Sequence, residues 1–162
     1  MAKVYVSDTN IWIDFHHAAL LNELFQLPFS LCCTDFVASE LDMPKLTPLV
    51  DLGLIVESID GDDVQQLFDL TRQHNNPSLA DMSCYFLAKK RGLPLLTGDG
   101  QLRKLAKDER VEVRGALWLL DQMVEHAVIE ARRAAEALRA MLRNNARLPE
   151  RECDIRLERW DA

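Results

Sequence analysis

Val4-Tyr5-Val6-Ser7-Asp8-Thr9-Asn10 and Pro94-Leu95-Leu96-Thr97-Gly98-Asp99 share a plan: a short apolar run that closes on an aspartate. An apolar run of strand length with no polar alternation suits a strand buried on both faces. In open parallel sheets, ligands bind outside the carboxyl ends of the strands. Acids just beyond such runs are therefore candidates for a site. Two more acids, Glu40 in Phe36-Val37-Ala38-Ser39-Glu40-Leu41 and Asp81 in Ser78-Leu79-Ala80-Asp81, lie near the starts of predicted helices.

Outward from these stretches, strands and helices alternate. Strands are expected over 3–7, 29–33, 52–59, 93–97 and 111–113. From Thr9 to about Gln26, Ile11, Trp12, Phe15, Ala19, Leu20 and Leu24 recur at helical spacing. Thr34 or Asp35 can cap a short helix that runs through Asp42. Met43 to Pro48 contains two prolines and breaks the pattern. Asp60-Gly61-Asp62-Asp63 opens a helix whose dipole its acids suit. His74-Asn75-Asn76-Pro77 reads as a loop, Ser78 as the cap of the next helix, and Gly92 as its stop. A short helix follows over 101–107, and the pattern is helical from Ala116 to about Asn145. Leu148-Pro149-Glu150 starts a last helix with proline near its first position. Alternation of this kind implies βαβ units. The expected fold is a three-layer α/β domain with a mostly parallel central sheet of about five strands. Residues 1–130 make up that domain, and 131–162 a helical extension of it.

The composition agrees with a single domain. The chain has 162 residues, 48% of them hydrophobic. No apolar run reaches the ~20 residues of a membrane span. The N-terminus starts directly on a strand without an export signal, so a cytoplasmic location is expected. Cys32, Cys33, Cys84 and Cys153 form no Cys-x-x-Cys pair and read as small reduced residues in or near the core. The net charge of −7 argues against coating nucleic acid through bulk electrostatics, although it leaves room for local binding. Residues 131–162 hold eight arginines against six acids, which makes this segment a phosphate or partner surface or a solvated helix face.

Each of the four acids also has a structural reading. Asp8 can be a helix N-cap, and Asp81 sits three residues after Ser78 as in a capping box. Asp99 between two glycines can make an Asx turn, and Glu40 can be an exposed helix residue. Taken together, four carboxylates at one sheet edge would raise one another's pKa unless a cation sat among them. An all-oxygen set without Cys or His suits Mg²⁺ or Mn²⁺.

These four blocks, in this order and spacing, resemble the PIN domain, the nuclease fold of VapC-type toxins. The resemblance covers roughly residues 3–125. It implies a Mg²⁺- or Mn²⁺-dependent endoribonuclease, the toxin of a type II toxin–antitoxin pair. Asp8, Glu40, Asp81 and Asp99 would be its catalytic, metal-binding acids. Asn10 and Thr97 match the polar positions that support the first and last of them. Many members carry an aromatic residue, and some a further acid, after the last aspartate. Here Gly100-Gln101-Leu102-Arg103 follows, without a fifth carboxylate. The implied partners are an RNA substrate, a cognate antitoxin and a second copy in a homodimer.

Arg103 and Lys104, one turn beyond Asp99, are candidate contacts for the RNA backbone. His16, His17, His74 and His126 match no ligand or acid–base spacing. Lys89-Lys90-Arg91 ends a helix at the end away from Asp81. Trp12, Trp118 and Trp160 read as core or interface residues. Ile11, Trp12 and the stripe within 117–141 are either a core face or a partner surface. One competing function is a PIN-like module without catalysis that acts through its partner. Another is an aspartyl-phosphate enzyme with Asp8 as nucleophile, which the Asn10 of Asp8-Thr9-Asn10 disfavours because such phosphatases use Asp-x-Asp.

Overall fold

A computed structural model describes residues 3–75 and 77–162. Five strands, β1 (Val4–Ser7), β2 (Ser30–Thr34), β3 (Ile55–Glu57), β4 (Leu95–Leu96) and β5 (Val113–Arg114), form one sheet. Their order is β3-β2-β1-β4-β5 and every pairing is parallel. The expected α/β architecture with a five-stranded parallel sheet is therefore the observed one. Parallel strands need crossover connections, and helices on both faces bury the central strands. Tyr5 and Val6 of β1, Leu31, Cys32 and Cys33 of β2, and both residues of β4 are buried accordingly. β3 is an edge strand, and Ile55 and Val56 remain exposed.

The sheet has one switch point. From β1 the chain steps to β2 on one side, and it later returns to place β4 on the other. A parallel sheet opens a crevice at the carboxyl ends of its strands where the order reverses. Here that crevice lies between the ends of β1 and β4. Val6 pairs with Leu95 and Ser7 with Leu96, so the residues after both strands leave the sheet side by side.

The helices are α1 (Thr9–His17), α2 (Leu21–Leu24), α3 (Asp35–Glu40), α4 (Leu46–Leu52), α5 (Asp62–Arg72), α6 (Leu79–Arg91), α7 (Gly100–Asp108), α8 (Ala116–Glu125), α9 (Ala131–Arg143) and α10 (Glu150–Asp161). Several bounds differ from expectation. The apolar periodicity of 9–26 is shared by two helices, because Ala19 takes a positive φ of 57° and turns the chain. The 116–145 stretch divides likewise at Ala127, with φ 55°. Periodicity does not register a single left-handed residue. The two prolines at 43–48 conceal a helix: Pro48 lies in the first turn of α4, where its missing N–H costs no hydrogen bond. As a result Leu52 ends a helix, and the third strand is only Ile55–Glu57.

α6 packs against β1, β2 and β4, and it also touches α3, α5 and α7. α9 packs on α1 and α8, and α10 on α9. Arg156 ties α10 to α8 through a two-bond pair with Asp121, Nε to Oδ1 at 3.0 Å and Nη2 to Oδ2 at 2.7 Å. Ile11, Trp12 and the apolar stripe of α8 and α9 are buried within the core. All four cysteines are free and buried. Among the described residues, no helix is long and apolar enough to cross a membrane.

Candidate active site

Asp8 is the first residue after β1, and it is fully buried. Its backbone N–H donates to the Leu96 carbonyl at 3.1 Å, which continues the sheet ladder one step beyond the strand. Its Oδ1 accepts the Ile11 N–H at 3.1 Å and so caps α1. Its Oδ2 accepts the Thr97 hydroxyl at 2.5 Å. The N-cap reading of Asp8 is thus realised, and the same carboxyl also sits in the switch-point crevice.

Thr97 joins the two strand ends. Its hydroxyl donates to Asp8 and accepts the Asp99 N–H at 3.1 Å. Asp99, half-buried, caps α7 by accepting the Leu102 N–H at 2.9 Å. Arg103 donates from Nη1 to the Thr97 carbonyl at 2.9 Å. This half-buried arginine braces the loop that carries Asp99. Lys104 is exposed.

Glu40 is the last residue of the six-residue α3, not an early one, and it is exposed. The Thr9 hydroxyl donates to its Oε1, linking Glu40 to the first turn of α1. Thr9 thus supports Glu40, a contact apart from the support of Asp8 that the sequence pattern gives to Asn10. Asn10 is exposed and, among the described residues, makes no side-chain hydrogen bond to Asp8. On a helix beginning at Thr9, the capping carboxylate of Asp8 is met by the N–H of Ile11.

Asp81 lies in the first turn of α6, where its N–H donates to Ser78 Oγ at 3.0 Å. A buried hydroxyl relay sets α6 against α3. The Ser83 hydroxyl donates to the Ala80 carbonyl at 2.5 Å, and the Thr34 hydroxyl, 2.6 Å from it, donates to Ser83. Thr34 Oγ1 in turn accepts the Val37 N–H at 3.1 Å and caps α3. The relay locks the helix of Glu40 to the helix of Asp81. Cys84, one turn after Ala80, directs its Sγ to the carbonyls of Ser7 and Ala80 at 3.6 and 3.4 Å.

Electrostatics shows that these acids share a region. Burial pushes the Asp8 carboxyl up to about 7, and the nearby charge of Asp81 adds to the rise. The Thr97 and Ile11 donors act in the opposite direction. Asp81 is raised by its own burial and then by the charges of Asp99 and Glu40, with Ser78 opposing. Asp14, on α1, is pushed up to about 6 by burial. Among the described residues, no lysine or arginine forms a salt bridge with Asp8, Glu40, Asp81 or Asp99. As the side chains stand, no three His, Cys, Asp or Glu groups close into a ligand set among the described residues.

Sequence reasoning missed Thr9, Ser83 and Cys84, which support this region, and treated Thr34 only as a cap. Their polar atoms work across elements distant in sequence, so no local pattern marks them. The remaining expectations are met variously. Lys89, Lys90 and Arg91 pair with Glu109, Asp63 and Glu57 at the far end of α6. Trp12 and Trp160 are buried, whereas Trp118 is half-buried.

A family model described as a PIN domain (DUF3368) matches residues 4–162. The chain belongs to the PIN-domain family, whose fold is of nuclease type. Among solved structures it is similar to a PilT N-terminus domain protein from the hyperthermophilic archaeon Sulfolobus solfataricus P2, with a TM-score of 0.51 and 16% identity. That match covers 76% of this chain and 95% of the archaeal one. At such identity the likeness is one of fold. No curated protein matches the chain by sequence.

Proposed function

We propose that this chain is a metal-dependent endoribonuclease that hydrolyses RNA phosphodiester bonds at the cleft of Asp8, Glu40, Asp81 and Asp99. The single observation that carries the reading is the position of Asp8. A fully buried aspartate at the switch point, raised to about 7 and next to further acids, is costly without a cation. The donor set fits the group: oxygen ligands without thiol or imidazole suit Mg²⁺ or Mn²⁺. Asp8 and Asp99 would hold the ion, and Glu40 and Asp81 would complete its shell directly or through water. Bound there, such an ion supplies Lewis-acid stabilisation of the phosphoryl oxygens and a more acidic water.

The chain's own residues supply orientation. Thr97 positions Asp8 with its hydroxyl and Asp99 through the backbone, so one side chain sets the spacing of the two strand-end acids. Thr9 restrains Glu40, and the Thr34–Ser83 relay sets α3 against α6. Water attack in line with the leaving oxygen leaves a 5′-phosphate, and the RNA 2′-hydroxyl is not the nucleophile. End-group analysis of cleaved RNA tests this: a 5′-phosphate is expected, and a 2′,3′-cyclic phosphate overturns the mechanism.

The finer assignment follows the family resemblance: the toxin of a type II toxin–antitoxin pair, cytoplasmic, working as a homodimer with a cognate antitoxin. Exposed Val50 and Leu52 at the end of α4, with Ile55 and Val56 on the edge strand, offer apolar surface for a protein partner. Residues 131–162 would serve as an extension of the nuclease domain. A second reading, a PIN-like binding module without catalysis, is favoured by one observation: the acids do not close into a ligand group as they stand. Calorimetric titration with Mn²⁺ separates the two. Folded protein that takes up no ion supports the module, and uptake abolished in Asp81→Asn supports the nuclease.

A further inference from the structure

A cavity of about 300 Å³ opens next to the acidic cleft, bounded by Gly98 and Arg103 on one side and by β5 and the start of α8 on another. The connection between α9 and α10, with Arg147, Leu148 and Pro149, closes a third side. Gly98 directly precedes Asp99, and Arg103 is bonded to the Thr97 carbonyl, so the cavity borders the loop that carries Asp99. We propose that it is a subsite for one nucleotide of the RNA strand beside the scissile phosphate, with Arg114 and Arg147 as its phosphate contacts. This rests on the ribonuclease reading and adds residues outside the four-acid site.

Three observations carry the proposal. The first is charge. In a chain of net charge −7, four arginines, Arg103, Arg114, Arg147 and Arg156, line one cavity beside a single acid, Glu152. That acid is bonded to Arg156, which is itself held by Asp121, and Arg114 has only a long, exposed pair with Glu112 at 3.8 Å. The second is mutual repulsion. Arg103 is held below its ordinary pKa by burial and by the nearby charge of Arg114. Guanidinium groups set close together in this way are relieved by an anion between them. The third is shape and chemistry. Arg114 lies over the Trp118 ring, 5.7 Å from its centroid, and that ring is stacked on the partly buried Phe29. Stacking holds the guanidinium in place, which lowers the entropic cost of meeting a phosphate. Leu117, Trp118 and Leu148 give an apolar wall for a sugar or base. The volume is at the small end of the ~300–1,000 Å³ range of ligand pockets, and it suits one nucleotide rather than a protein segment.

The test measures binding separately from cutting. A fluorescein-labelled single-stranded RNA is titrated with full-length protein in chelator, across a series of salt concentrations. The Arg114→Gln/Arg147→Gln variant is compared with Lys89→Gln/Lys107→Gln, which removes two charges at the far ends of α6 and α7. Arg114 and Arg147 are exposed, so their replacement leaves the core intact. We expect the arginine variant to bind roughly 10-fold more weakly, with the salt slope reduced by ~0.7 for each phosphate that is no longer neutralised. The control should bind within about 2-fold of wild type. Trp118→Leu should weaken binding by a similar ~10-fold without changing the salt slope, because stacking carries no counterion release. Equal effects of the two double variants, or no RNA binding by wild type, overturn the subsite. Failure of the ribonuclease reading shows itself differently: RNA is bound in chelator through Arg114 and Arg147 but is not cut when Mn²⁺ is added.

Discussion

Replacing Asp8 by Asn should change the response of stability to pH in a calculable way. The folded protein retains the Asp8 proton up to about pH 7, whereas an exposed aspartate releases it near 3.8. Between those values the folded state binds more protons than the unfolded chain, so stability falls as pH rises. For one such group, linkage gives a loss of about 2.5 kcal/mol between pH 5 and pH 8. Asp8 is fully buried, so solvent screening does not reduce this figure. Asn keeps an oxygen for the Ile11 N–H and so preserves the cap on α1. It loses the Thr97 donor bond, at about 1 kcal/mol for the neutral carboxyl present at pH 5, and the strengthening of that bond on ionisation is already contained in the value of about 7. Urea unfolding of wild type and Asp8→Asn at pH 5 and pH 8, in chelator, reads both effects. At pH 5 the variant should match wild type or fall slightly below it. At pH 8 it should gain about 2.5 kcal/mol relative to that comparison. Parallel pH profiles for the two proteins would refute the argument, because they would mean that Asp8 titrates alike in the folded and unfolded states.

Other expectations follow from the hydrogen-bond network. Thr97→Val removes the donor to Asp8 and the acceptor for the Asp99 N–H, so it should cost about 1–3 kcal/mol in urea unfolding and depress RNA cleavage further than that loss explains. Ser83→Ala leaves the buried Thr34 hydroxyl without its acceptor and should lower stability by about 1–3 kcal/mol, read by thermal unfolding. Ala127, exposed at φ 55°, should be improved by glycine: Ala127→Gly is expected to gain about 1 kcal/mol, and a loss in chemical denaturation would contradict the strain assigned to that turn.

The parts legible in sequence were those with a local signature. β1 and β4 show as apolar runs ending on aspartates, and their parallel pairing follows from strand–helix alternation. Ser78 and Gly92 bound α6 as capping chemistry predicts. What stayed hidden has identifiable causes. Ala19 and Ala127 turn the chain without glycine or proline, so two helix breaks left no punctuation. α4 was concealed because Pro48, a breaker in a helix interior, is harmless in a first turn. For the candidate site, Asp8, Asp81, Asp99 and Thr97 were visible because each follows or opens an element, whereas Glu40 closes α3 and showed only through its block of sequence. The contact of Thr9 with Glu40 was not legible, since only the folded entry of α1 decides which side chain reaches Glu40. The arginine-lined cavity joins residues from 98 to 156, and no window of sequence contains it.

Cleavage of a mixed RNA pool by purified protein tests the central claim most directly. The comparison is wild type with Mn²⁺, with Mg²⁺ and with chelator, beside Asp8→Asn with Mn²⁺, after urea unfolding has shown the variant to be folded. Metal-dependent cutting by wild type, absent in chelator and abolished in the variant, is the predicted result. Cutting that persists in chelator, or that survives in Asp8→Asn, would contradict a hydrolytic site built on the carboxylates at the β1–β4 switch point.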